Sequence, residues 1–270
     1  QIVLNGKNLA IAPVLTLAGR PALSGAIDIT ADLKETADGG LSGPLRGEIL
    51  GISRQGSDLP PIDLFFSGDL QPALLAMEVR ALDNEALTAS TTLDLPVITS
   101  GAPPFITRDP DRQIPFRATA DGQIEAIAAL FVPPQMVLKG VVDLDLSGQF
   151  PTLDETFGGT LDFSDGVFEH GDLGMVLNRI NASTSLGAGR LTLSSFDARG
   201  RSGGTLRGSG AMSLDGSGAS DLELTADRLV VTERREGRAT VSGTMQVNQQ
   251  PDLLEITGDL VVDEGAINIE

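Results

Sequence analysis

Period-two alternation, broken by glycines that fall on the apolar side of the pattern, constrains this chain more than any other feature of its sequence. In VDLDLSG (142–148), Val142, Leu144 and Leu146 share one side while Asp143, Asp145 and Ser147 share the other. The same reading gives Ile27/Ile29, Ile62/Leu64/Phe66, Leu75/Met77/Val79, Leu93/Leu95, Leu161/Phe163, Leu191/Leu193, Leu222/Leu224 and Leu254/Ile256. Successive side chains of a strand point to opposite faces, so each run has one apolar and one wet face. Turn signals separate the runs at Asp38-Gly39-Gly40, Asp83-Asn84, Asp165-Gly166, Asp215-Gly216 and Glu236-Gly237. The spacing predicts strands of about 6–9 residues joined as antiparallel hairpins and meanders.

A unit apolar–polar–Gly–polar–apolar recurs as LSGAI, LSGPL, FSGDL, LSGQF, VSGTM and ITGDL, centred on Gly25, Gly43, Gly68, Gly148, Gly243 and Gly258. Glycine inside a strand costs roughly 0.5–1 kcal/mol relative to alanine, so its place on the inner face needs a use. Two fit: a strand bends sharply where no Cβ crowds the concave side, or two facing walls approach there. The unequal intervals between copies exclude a strict solenoid. What remains is an irregular array of hairpin strands sharing one apolar face. Its inner positions are mostly aliphatic or Gly, and the chain has no Trp and no Tyr. Such a lining suits an ordinary aliphatic core or a channel for alkyl chains, and periodicity alone does not separate the two.

One stretch departs from the pattern. In DGQIEAIAALFVPP (121–134), Ile124, Ile127, Ala128 and Phe131 stand at helical spacing, with Asp121 as N-cap and Pro133-Pro134 as stop. This predicts a short amphipathic helix near 122–131 capping a sheet. Residues 99–116, rich in Pro and charge, read as a connector. The boundary is placed between a β-rich segment 1–110 and a second, 111–270. With Gln1 at one end and Glu270 inside a strand-like run, the chain reads as a fragment of a longer protein.

A formal net charge of −18 argues against nucleic acid, which demands a basic face. There is no cysteine, hence no disulfide and no thiolate site. No apolar run is long enough to span a bilayer. His170, the sole histidine, falls at an expected hairpin end with no nucleophile elbow around any serine, and reads as an exposed turn residue. ERREGR (233–238) reads as a solvated hairpin tip. No P-loop and no dinucleotide fingerprint occurs. The expectation is a protein without catalytic residues, metal or cofactor.

From Glu125 onward, the short helix, VPPQMVLKG, DLDLSGQFPTLDETFGGTLDFSDG, GDLGMVLNRINASTSLGAGRLTLSSFDARGRSGGTLRGSGAMSL and the closing ITGDLVVDEGAINI follow one another in an order similar to the C-terminal region of the TamB family. The resemblance covers about residues 120–270. It implies an all-β, elongated, creased antiparallel sheet, the β-taco, with an open hydrophobic groove and one short capping helix. It further implies a non-enzymatic periplasmic lipid conduit in a protein anchored to the inner membrane of a diderm bacterium. The partners implied are phospholipid and an outer-membrane barrel of the Omp85 class, TamA-like, met through segments outside this chain. On that basis the groove lining is expected at Val142, Leu144, Leu146, Leu161, Phe163, Leu191, Leu193, Leu222, Leu224, Leu254, Ile256 and Leu260. The alternative is a structural or adhesive β-array with a fully packed core and no ligand.

Overall fold

The computed structural model describes residues 1–11, 23–54, 61–83, 86–100, 106–133, 135–150, 156–213, 221–250 and 253–267. The expected turns at Asn84 and at Asp215-Gly216, and the stop at Pro134, lie outside these residues. The chain forms two compact units, Gln1–Asp121 with Ser147–Thr152, and Gly122–Leu146 with Leu153–Glu270.

The first unit holds β1 (Ile2–Ala10), β2 (Leu23–Glu35), β3 (Leu41–Arg54), β4 (Ile62–Gln71), β5 (Leu74–Asp83), β6 (Leu87–Thr99), β7 (Ile106–Arg108) and most of β8 (Ile114–Gln123). Its strands lie side by side in chain order, except that the three-residue β7 pairs with the end of β6. The second unit holds α1 (Glu125–Phe131), most of β9 (Met136–Phe150), then β10 (Gly158–His170), β11 (Met175–Gly187), β12 (Arg190–Gly200), β13 (Thr205–Ser213), β14 (Leu222–Glu233), β15 (Gly237–Gln250) and β16 (Leu253–Ile267), again in chain order. The pairings are antiparallel, as short connections require. Neither unit closes its sheet into a barrel.

Several local expectations are corrected. Apart from β7, the strands run from 9 to 15 residues, longer than the turn signals imply. Asp165-Gly166 shows why: it lies inside β10, where the register with β11 shifts between Phe163 and Gly166. Asp165 takes φ 50° there, so the pair makes a bulge that bends the strand instead of reversing the chain. The segment 99–116 carries β7 and the start of β8 and is no mere connector. Asp121 does not cap the helix, because it is still in β8; the N-cap position is Ile124, without a side-chain bond. What holds that turn is the sheet: the Ile124 N–H donates to the Gly140 carbonyl of β9 at 3.0 Å. His170 ends β10 half-buried, with Nδ1 shielded from water and without a hydrogen-bond partner, instead of standing exposed in a turn.

Candidate functional site

Register turns the sequence alternation into rows that cross the strands. In the second unit one row runs Phe163, Ala182, Phe196, Gly208, Leu224, Met245, Gly258, each directly opposite the next from β10 to β16. Neighbouring rows on the same face run Leu161, Thr184, Leu193, Gly210, and Ala198, Leu206, Ala226, Gly243, Leu260. The intervening row, Asn181, Asp197, Arg207, Thr225, Thr244, Asp259, belongs to the other face and is polar throughout. A single-residue slip would exchange these faces, so the apolar rows and the register specify each other.

Burial along the apolar face of this unit is uneven. Leu177, Ile180, Ala198, Ala226 and Leu229 form a buried cluster toward the rim where β10, β12 and β14 end. That rim is clasped shut. The Glu233 N–H and the Thr232 hydroxyl both donate to the Leu173 carbonyl, at 3.3 and 2.7 Å, joining the β10–β11 turn to the end of β14. Over the shorter β12–β13 hairpin, the Ser202 hydroxyl donates to Glu233, and Arg201 pairs with Glu169 at 3.3 Å. The basic residues of 233–238 are engaged here too: Arg234 donates to the Asp172 carbonyl, and Arg238 lies 4.0 Å from Glu233.

Toward the opposite rim the face is only half-covered. Leu144, Leu146, Leu161, Phe163, Leu191, Leu193, Leu222 and Leu224 are all half-buried, whereas Val142 is 8% exposed. Leu254 and Ile256 enter by register, opposite Gln249 and Val247. Leu260, in the outermost strand, is 47% exposed, with Val261 and Val262 at 63%. The structure therefore brings Leu161, Phe163, Leu193 and Leu224 together in adjoining rows and sets Leu260 at the margin.

The first unit repeats the arrangement, which sequence reasoning had left without lining residues. Its rows include Leu9, Ile27, Ile49, Leu64, Ala81, Ala89, and Leu4, Ala31, Leu45, Gly68, Met77, Leu93. Leu33, Leu41, Leu70, Leu75 and Val97 are buried at one rim, and Ile52, Ile62 and Leu87 at the other. Between them Ile27, Ile29, Leu45, Ile49, Phe66 and Met77 stay half-buried. The signal was present as the same alternation. The family resemblance simply does not extend to these residues.

The glycine positions have distinct geometry. At Gly43 and Gly243, φ is 145° and 139°, and an added Cβ would run into the carbonyl oxygens of Asp32 and Asp259 on the neighbouring strands. At Gly68 the obstacles are the Ala76 carbonyl oxygen at 2.9 Å and the Met77 and Leu45 side chains at 3.2 and 3.3 Å. The obstructing atoms belong to adjacent strands of the same sheet.

The strands also carry bulges that sequence reading missed. Register shifts coincide with left-handed residues at Asn8, Asp165, Arg179 and Arg228, with φ between 45° and 51°. A side chain on the neighbouring strand accepts from the freed N–H at several of them. Asn8 donates to Asp28 Oδ1 at 2.5 Å, Asp165 to Asn181 Oδ1 at 3.3 Å, and Arg228 to Ser242 Oγ at 2.8 Å. The glycine at the β3 bulge, Gly51 (φ 68°), likewise donates to Asp63 Oδ1 at 2.8 Å.

Among the described residues no three His, Asp or Glu side chains converge where one metal ion could be held. A depression of about 310 Å³ in the first unit mixes charges of both signs, from Lys7, Asp28, Arg46 and Glu48, with the row Gly6, Ile29, Gly47. Among the described residues no helix is long and apolar enough to cross a membrane.

Residues 194–270 match the family model of the TamB C-terminal domain. No curated protein and no solved structure matches the chain.

Proposed function

The chain carries a TamB C-terminal domain, and from that premise we propose that it is a non-enzymatic lipid conduit within the translocation and assembly module of the bacterial envelope. The apolar rows would shelter phospholipid acyl chains, in the periplasm, between inner and outer membranes. Outer-membrane protein assembly would be served through an Omp85-class, TamA-like barrel met outside this chain.

The observation that carries the reading is the half-buried band Leu161, Phe163, Leu193, Leu224, continuous across strands from β10 to β14. A packed second layer would bury these side chains as fully as Leu177 and Leu229 are buried at the clasped rim. Holding an acyl chain in water costs about 0.8 kcal/mol per CH₂, so such a band offers a guest what it lacks in solvent. Rows that cross the strands also let a chain slide from one strand to the next over chemically similar surface. Barriers to movement stay low because Leu, Ala, Gly and Met offer dispersion contacts without fixed polar partners.

Purified protein, extracted without detergent, should carry phospholipid detectable by mass spectrometry. Replacing Leu161, Leu193 and Leu224 together by Asp should abolish that cargo while the β-sheet circular dichroism persists, because a charge in an apolar site is heavily penalised. A lipid-free wild type, or a triple variant with undiminished cargo, would leave only a packed scaffold.

A further inference from the structure

Large side chains in an alkyl channel pose a problem: a phenyl ring standing upright on the floor would obstruct it. Phe163 is half-buried on the apolar face of the second unit, yet it does not stand clear of the sheet. An added Cβ at Gly140 of β9 would lie 2.6 Å from Phe163 Cζ and 2.7 Å from Cε2. An added Cβ at Gly166, on Phe163's own strand, would meet the same ring and, at 2.7 Å, Ile180 Cβ. The ring thus lies over bare backbone on both sides. Gly140 falls on the face of Val142 and Leu144 by alternation, so the ring rests on that floor and fills the place two side chains would take.

The first unit has an independent copy. Phe66 of β4 pairs directly with Gly47 of β3, and a Cβ at Gly47 would collide with the Phe66 ring, with Cε1 at 2.9 Å and Cζ closer still. In each unit one phenylalanine of the apolar face is matched to a glycine on the adjacent strand.

We propose that Gly140 and Gly166 hold the Phe163 ring flat, that Gly47 does the same for Phe66, and that these slots set the clearance left for a guest acyl chain. The inference rests on the lipid reading above. The glycines are positioning residues: they act on the guest through the ring they seat. Filling a slot lifts the ring from the floor into the space a chain would occupy.

The test is uptake of a fluorescent-acyl phosphatidylethanolamine from phosphatidylethanolamine–phosphatidylglycerol vesicles by the purified chain. Phe163→Trp, which leaves the backbone untouched, should lower uptake about fivefold or more, because an indole too large for the slot must project into the guest's space. Phe66→Trp should do the same in the first unit, and decides if Phe163→Trp fails to fold. Gly140 itself is left in place, because its φ of 146° strains any side chain and the Gly166 Cα lies 3.0 Å from an added Cβ. A folded variant with wild-type uptake overturns the proposal while leaving the conduit reading standing. Absence of uptake by the wild type overturns the conduit reading and this proposal with it.

Discussion

The Arg228 N–H donates to Ser242 Oγ across the β14–β15 pair at 2.8 Å, and the Ser242 hydroxyl donates onward to Asp263 Oδ2 of β16 at 2.5 Å. Arg228 sits at φ 45° in the bulge between Ala226 and Leu229. A non-glycine residue in that region is strained by about 1–3 kcal/mol, and the bulge frees its N–H from the ladder. Ser242 supplies the missing acceptor, so three strands are stapled where one of them bends. Leu229, on the far side of the bulge, is thereby delivered into the buried cluster.

Ser242→Ala should therefore cost about 1–3 kcal/mol, the net worth of two hydrogen bonds, one of them to a carboxylate. Urea unfolding reads the loss, and amide exchange at Arg228 should quicken. Unchanged exchange there would show that water replaces the hydroxyl without penalty.

Gly243 offers a sharper contrast. Its φ of 139° and the nearby Asp259 carbonyl leave no room for a Cβ, whereas a Cβ at Gly187 would meet nothing within 4 Å. Gly243→Ala is expected to destabilise by about 2 kcal/mol or more. Gly187→Ala should be neutral or stabilising by about 0.5 kcal/mol. Equal melting temperatures for the two variants would refute this reading of the close approach.

Burial predicts a graded response along the apolar face. Leu229, 4% exposed, should cost about 2–5 kcal/mol when truncated to Ala. Half-buried Leu193 should cost clearly less, about 1–1.5 kcal/mol, because the side chain gives up less apolar area and leaves no sealed cavity. If the two losses were alike in lipid-free protein, the face would be packed to the same degree at both places.

Asp38, in the β2–β3 turn, is held below the usual carboxylate range chiefly by the Thr36 hydroxyl that donates to it. A carboxylate lowered in the folded state contributes stability above its unfolded pKa and loses it as pH falls through the folded one. The contribution is small for an exposed group. Thr36→Val should raise the Asp38 titration midpoint toward the ordinary value in a carbon-detected NMR titration, and an unmoved midpoint would assign the shift to the turn backbone.

How much was legible in the sequence differs between elements. Alternation was sufficient for VDLDLSG to be placed in a strand with Val142 and Leu144 on one face, because side-chain direction in a strand is a local, period-two property. The short helix was legible near 122–131 for a similar reason, though its start was misplaced at Asp121: Asp121 stays in β8, and the N-cap position, Ile124, is tied by its own N–H to the Gly140 carbonyl of β9. Asp165-Gly166 misled more instructively. Locally it carries the chemistry of a turn, and only Asn181 on the adjoining strand, ready to accept from Asp165, makes it a bulge inside β10.

The sequence by itself determined that its alternating runs are strands, which of their faces are apolar, and that glycine recurs on those faces. Tertiary structure alone decided where the strands bend, which rim is clasped by Leu173, Thr232 and Glu233, and which apolar residues stay half-covered. The division has one physical cause. Alternation is written along a single strand, whereas a bulge acceptor, a seated ring and a covered leucine each depend on which residue of another strand stands opposite.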